Sequence, residues 1–218
     1  MKVVVFGSGG HAKVALEILQ ITGYQVKGFL DDNIDRHGDN IKGIPIYGGR
    51  EQLGAMKESG VTGVFIGIGN NKVRKDVADF IISEHGSFEC VNAIHPKANI
   101  YDSAKLGKGL FIAPSVVIGV DSIIGDHAII NSGATVGHDA IIGKGADICP
   151  GVNIAGNVVV GDYTQVGIGS KVIQGLSLGK HSVIGAGSIV VRDIPNSVVA
   201  FGNPARIRRE LDNIEITS

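Results

Sequence analysis

From Ile94 to Val190 every sixth residue is Ile, Leu or Val, seventeen positions in a row without an insertion. Four residues after each, the side chain is Ala, Ser, Thr or Val in fourteen of the seventeen cases, the exceptions being Leu110, Leu176 and Ile194. An amphipathic helix needs apolar spacing near 3.6 and a single strand needs two, so neither produces a strict six. A six-residue period fits a coil in which each hexapeptide supplies one short strand and one corner. The aliphatic residue points inward, and the small residue fits the narrow interior beside the corner. One residue after the aliphatic, Gly occurs nine times, and Gly takes corner conformations that strain other residues. Three hexapeptides per coil give a triangular prism of roughly five to six coils, stacked about 4.8 Å apart with each backbone paired to the next. Right-handed crossovers are the norm for parallel strands, so the period does not fix the hand. The aliphatic row alone does not offset the cost of ordering the whole repeat. This predicts end caps and packing between prisms.

The segment before the repeat reads differently. Lys2–Phe6 is a buried strand, followed by Gly7-Ser8-Gly9-Gly10-His11-Ala12 and a helical pattern through Ile21 that Gly23 ends. Further strands are expected at Gln25–Leu30, Ile44–Tyr47 and Val64–Ile68, and helices at Arg50–Glu58 and Lys72–Glu84. Strands alternating with helices imply a small parallel α/β sheet. Its ligand crevice should lie at the carboxyl ends of the strands. Gly7-x-Gly9-x-x-Ala12 between strand and helix matches the dinucleotide fingerprint, with the acids Asp31 and Asp32 about twenty residues on. Its backbone N–H groups at a helix start suit a phosphate. About ninety residues leave no room for two full mononucleotide halves, so a sugar nucleotide fits better than a whole dinucleotide. The expected organisation is a Rossmann-like nucleotide-binding domain over 1–90, a parallel β-helix over 91–195 and a C-terminal extension over 196–218.

Bulk composition excludes several classes. A net charge of −1 with 19% charged residues argues against a nucleic-acid binder. Two cysteines, Cys90 and Cys149, are too few for a disulfide framework, and no Cys/His cluster has zinc-finger spacing. The apolar start ends at Gly7, too short for a signal peptide, and no run is long enough to cross a membrane. The expectation is a cytoplasmic protein.

The Gly9-Gly10-His11 turn, the hexapeptide prism and the tail Val199-Ala200-Phe201-Gly202-Asn203-Pro204-Ala205-Arg206 together resemble the NeuD/PglD-like sugar O- and N-acyltransferases. The resemblance spans about Lys2 to Arg208. It implies a left-handed prism, a homotrimer with active sites between subunits, acetyl-CoA as co-substrate and no metal. The implied acceptor is a nucleotide-linked 4-amino-4,6-dideoxy sugar destined for a glycan or polysaccharide.

His138 stands two places after the inward Val136, facing outward near a corner. Alone, such a histidine is most often simply solvated; the resemblance makes it the general base. Imidazole suits removal of a proton from an attacking amine at neutral pH. Asp139 then holds the ring as the orienting acid does in a catalytic triad, and Asn131 helps position the amine. A second family histidine, near the thioester oxygen, is replaced here by Asp147. A carboxylate repels a developing oxyanion, which leaves a backbone N–H such as that of Gly156 to polarise the carbonyl. By the same matching Gly156, Ile168 and Ala186 line the CoA groove beside Asp147. Arg206, with Lys171, Lys180 and Arg208, faces the CoA phosphates. In the crevice Gly9, Gly10 and His11 meet the sugar nucleotide's phosphates, Asp31 and Asp32 bond the nucleoside or sugar, and Gly69 and Lys72 close the site.

Other activities need features the sequence treats differently. A prism carbonic anhydrase needs three converging histidines, and His127 and His138 have no second histidine close after them. A nicotinamide enzyme or sensor would use the N-terminal fingerprint alone. A non-catalytic assembly protein would use only the prism. O-acetylation of a sugar, sialic acid or serine hydroxyl uses the same base and donor, and sequence separates it poorly from N-acetylation.

Overall fold

The computed structural model describes residues 1–212. The end of the expected C-terminal extension, 213–218, lies outside the described residues. The chain forms two compact units, Met1–Ile94 and His95–Ser218.

In the first unit β1 (Lys2–Phe6), α1 (Gly10–Ile21), β2 (Gln25–Leu30), β3 (Asn40–Ile41), β4 (Ile44–Gly48), α2 (Leu53–Glu58), β5 (Gly63–Ile66), α3 (Asn71–His85) and β6 (Glu89–Cys90) follow in order. The sheet runs β3-β4-β2-β1-β5-β6. Every pairing is parallel except β3 with β4. β1 reads Val3-Val4-Val5-Phe6 and is buried on both faces, as parallel strands are. Val4, Phe6, Val64 and Ile66 pack with Val77 and Ile81 of α3 on one side. Three expectations change. Arg50–Gln52 is a 3-10 turn and only Leu53–Glu58 is α-helical, because Gln52 N–H closes back onto Gly49 O at 3.1 Å. β5 stops at Ile66, two residues early, where Gly67 passes so close to α1 that a methyl on it would lie 2.8 Å from the Ala12 Cβ. The two-residue strands β3 and β6 were not expected, being too short to show a period.

The repeat folds as the six-residue period requires. Each of the seventeen aliphatic positions is the second residue of a two-residue strand, from Ala93–Ile94 to Ile189–Val190. Strands pair in parallel with those eighteen residues on, for example Ile124 with Ile142 and Ile142 with Val160, so three hexapeptides make one coil. One face carries Ile112, Ile130, Ile148, Val166 and Ile184; the second Ile118, Val136, Ile154 and Val172; the third Ile124, Ile142, Val160 and Leu178. All fourteen aliphatics from Ile112 to Val190 are at most 3% exposed. Val198–Gly202 adds to the first face beside Val183–Ile184, and Ala205–Glu210 folds back on it antiparallel.

The glycines act otherwise than expected. Left-handed backbone occurs three residues after the aliphatic, at fourteen successive corners from Gly109 to Gly187, and half of these are not glycine. Asp121, His127, Asp139, Asn157 and His181 are among them, the residue types that tolerate this region best. The glycines directly after the aliphatic are needed for close approach instead. A methyl on Gly119, Gly125, Gly137, Gly143, Gly161 or Gly167 would lie 2.5–2.8 Å from the backbone of the next coil.

Candidate active site

The first unit holds a cavity of about 440 Å³ at the carboxyl ends of β1, β2 and β5. Here the sheet order reverses direction around β1, the usual place for a ligand in such sheets. Gly9, Gly10, His11, Asp31, Asp32 and Gly69 line it, together with Phe6, Ser8, Ile68 and Val73, which sequence reasoning missed. Lys72 is not among the lining residues. The Asn70 side chain caps α3 by accepting Lys72 N–H and Val73 N–H, and the next residue, Val73, lines the wall instead. α1 starts after Gly9 with no side-chain cap and no acid in its first turn. Its first N–H groups and positive dipole end therefore suit an anion.

The two acids serve the pocket's frame. Asp31 Oδ2 accepts both N–H (2.8 Å) and Oγ–H (2.5 Å) of the buried Ser8, and Oδ1 accepts Asn33 N–H. It thus braces the glycine turn from the end of β2. Asp32 Oδ2 takes two N–H bonds from Arg50, and its Oδ1 takes Arg50 backbone N–H. Partial burial works against the Asp32 charge, but those bonds and the guanidinium hold its carboxyl below the usual range. Asp31 and Asp32 are expected to bond the nucleoside or sugar, and most of their accepting capacity is used inside the unit. The spacing of the acids was visible in sequence; their partners, eighteen and twenty-three residues away, were not.

His11 is expected to meet phosphates, yet burial, reinforced by the Arg74 charge, pushes its pKa down to about 4. At neutral pH it is an uncharged imidazole, a hydrogen-bonding group and not a cation. The lowered value makes the fold less stable in acid. Between about 4 and the ordinary 6.5 the unfolded chain binds a proton that the folded chain does not, so stability is full above 6.5 and falls as pH drops toward 4. The difference corresponds to about 3 kcal/mol. Urea unfolding of His11→Gln should show a flatter pH dependence over that window; an unchanged slope would contradict the buried neutral state.

In the second unit His138 sits at the edge joining the second and third faces, and Asp139 follows at a left-handed corner, φ 56°. That conformation turns the short Asp139 carboxylate back onto its neighbour: His138 Nδ1 lies 2.7 Å from Oδ2. A carboxylate only accepts, so Nδ1 carries the hydrogen and Nε2 keeps its lone pair. One coil on, Gly156 lies under the ring. A methyl there would be 2.5 Å from Nε2 and 2.6 Å from Cε1. Among the described residues no hydrogen bond takes Gly156 N–H. At another edge the equivalent N–H groups of Lys108, Lys144 and Lys180 are taken by Asp126, Asp162 and Asn196. The Gly156 donor is therefore free to meet a substrate oxygen beside Nε2.

The remaining expected residues lie elsewhere on the prism. Asn131, Ile168 and Ala186 sit at the next edge, at the carboxyl end of the first face, and Asn131 Oδ1 accepts Ser132 N–H. Asp147 is on the first face, opposite the His138 edge, with the aliphatic core between them. Arg206 is exposed on the hairpin that extends this face, and Lys180 pairs with Asp162 at 2.8 Å. One prism thus brings together His138, Asp139 and Gly156, and not the others. Cys149 is excluded as a nucleophile, since burial and the Asp147 charge push its thiol up to about 11. Among the described residues no three His, Cys, Asp or Glu side chains are grouped to hold a metal, and no helix is long and apolar enough to cross a membrane.

Residues 2–81 match the PglD N-terminal domain, and 121–156 the bacterial transferase hexapeptide, six repeats. A histidine-to-asparagine mutant of perosamine N-acetyltransferase from Caulobacter crescentus, in complex with CoA and GDP-perosamine, is 38% identical. It covers 96% of this chain and 98% of that one, with a TM-score of 0.91. The acetyltransferase domain of PglB from Neisseria gonorrhoeae FA1090, in complex with acetyl coenzyme A, is 28% identical over 95% and 98%, TM-score 0.86. An uncharacterized protein of Acanthamoeba polyphaga mimivirus is 30% identical over 123 residues, 56% of this chain; the chain spans only 23% of the length of that curated relative. Fold and edge site define a hexapeptide-repeat acyltransferase with a left-handed β-helix. The chain belongs to the NeuD/PglD-like sugar acyltransferases.

Proposed function

We propose that the protein transfers the acetyl group of acetyl-CoA to the amino group of a nucleotide-linked 4-amino-4,6-dideoxy sugar, with His138 as general base. The observation that carries this reading is the His138–Asp139 pair, with Nε2 unencumbered above Gly156. As the amine nitrogen attacks the thioester carbon, the C–N bond forms and the C–S bond breaks. Nε2 takes the proton that nitrogen loses and returns it to the leaving sulfur. Asp139 steadies the imidazolium formed between those steps, and Gly156 N–H donates to the carbonyl oxygen as it gains charge. The CoA and GDP-perosamine held by the Caulobacter relative support the donor and the acceptor class. The nucleotide end is assigned to the first unit's cavity, with phosphates at the start of α1. Both substrates are phosphorylated and cannot cross a lipid bilayer, which favours the cytoplasm as the site of action.

The reading includes a homotrimer with its sites between copies. Asn131, Asp147, Ile168 and Ala186 cannot reach His138 around their own prism, so a second copy must bring them if they act there. Ile123, Ile141 and Val159 stand in register on the third face, 38–41% exposed, and offer an apolar stripe for a neighbour. Sedimentation equilibrium at micromolar concentration should give a trimer; a monomer that turns over normally would contradict it. A panel of UDP-, GDP- and dTDP-linked 4-amino sugars with acetyl-CoA tests the acceptor. One member should release CoA, and release only with a free sugar acid or serine would overturn the assignment.

A further inference from the structure

Arg74 is the largest fully buried side chain among the described residues, 1% exposed, on the face of α3 that also buries Val77, Ala78 and Ile81. A guanidinium there is costly unless its donors are used. Nη1 donates to Ile68 O (2.9 Å) and Gly69 O (2.8 Å), and Nη2 to Asn71 Oδ1 (2.7 Å). Ile68 and Gly69 form one wall of the cavity, and His11 lies on the same cavity. The β5–α3 connection has just left the sheet after Ile66, so strand pairing does not hold these carbonyls.

We propose that Arg74 is a positioning residue of the nucleotide cavity, which fixes the Ile68–Gly69 wall through its planar fork and sets a permanent cation within electrostatic reach of His11. Lysine cannot do the first task. It is a point donor on a flexible stem, whereas the fork meets three acceptors at once. The second task keeps His11 neutral, alongside its burial, even though Asp31 and Asp32 line the same space. Cavity and charge together make the site a preformed one that addresses its ligand through the neutral backbone N–H donors at the start of α1, beside an uncharged His11. The inference rests on the nucleotide reading above for the identity of the ligand, but not for the state of His11.

Arg74→Met and Arg74→Lys, in the full chain, separate the two tasks. In Arg74→Met the KM for the nucleotide sugar should rise about tenfold or more, with kcat and the KM for acetyl-CoA within about twofold. The His11 C2–H resonance should titrate at higher pH than in the parent protein, though below 6.5 because burial remains. In Arg74→Lys the cation persists, so His11 should titrate as in the parent while the KM still rises. A folded Arg74→Met with parental KM, or with parental His11 titration, overturns the proposal. If Arg74→Met does not fold, Arg74→Lys decides: a parental KM overturns it. His11 titrating near 6.5 in the unaltered protein also overturns it. That titration needs no ligand, so it stands even if no nucleotide sugar is bound.

Discussion

Replacing His138 with alanine is expected to lower kcat about 10²–10⁴-fold, with the KM values for both substrates nearly unchanged and the fold intact. The side chain is 63% exposed and contributes nothing to the aliphatic interior, so its removal costs little stability. What it removes is the acceptor for a proton that must leave the amine during attack. An interaction made only in the transition state lowers kcat and kcat/KM together. Circular dichroism and a thermal melt establish folding; steady-state release of CoA measures the loss. Turnover within about threefold of the parent would move the base elsewhere. Asp139→Asn should fall between, because the amide keeps a hydrogen-bonding partner at Nδ1 but not the charge that steadies the imidazolium.

The second large effect separates two glycines one coil apart. A methyl on Gly156 has its nearest contacts with the His138 ring, 2.5 Å from Nε2. The ring can swing away, so Gly156→Ala should fold and melt like the parent while kcat drops on the order of a hundredfold. A methyl on Gly137 meets backbone, 2.5 Å from Gly156 N and 2.6 Å from Ala155 C. Backbone inside a stack of coils cannot swing, so Gly137→Ala should destabilise the prism by at least about 1–3 kcal/mol. Equal melting temperatures with unequal kcat for Gly156→Ala, and a lowered melting temperature for Gly137→Ala, is the expected pattern. The reverse would contradict the edge geometry.

Much of this was legible in the sequence because the repeat is its own evidence. A side chain that must point inward every sixth residue leaves one coil geometry open, and all seventeen strands fall where the aliphatic row puts them. The roles of the glycines were not legible. A sequence shows that Gly137 follows Val136, but not that the constraint is the next coil's backbone and that the left-handed corner falls two residues later, on Asp139. The same holds in the α/β unit. The glycine turn and the two acids announce a ligand crevice, yet Asp31 turns out to hold Ser8, and Asp32 to hold Arg50. Such pairings are made by strand order, which brings the ends of β1, β2 and β4 together. Arg74 left one trace, a charge at the three- and four-residue spacing of the buried stripe Val77, Ala78 and Ile81, and was not read. The division of Asn131, Ile168 and Ala186 from His138 follows from counting hexapeptides in threes. It carries the weight of the argument for sites between copies.

The central claim is that an acetyl group moves from sulfur to a sugar nitrogen at His138. NMR of the product formed from acetyl-CoA and a nucleotide-linked 4-amino sugar tests it most directly, with His138→Ala run in parallel. The account predicts one amide on the sugar amine, one equivalent of free CoA, and almost no product from the variant. An ester on a sugar hydroxyl, or equal product from both proteins, would contradict it.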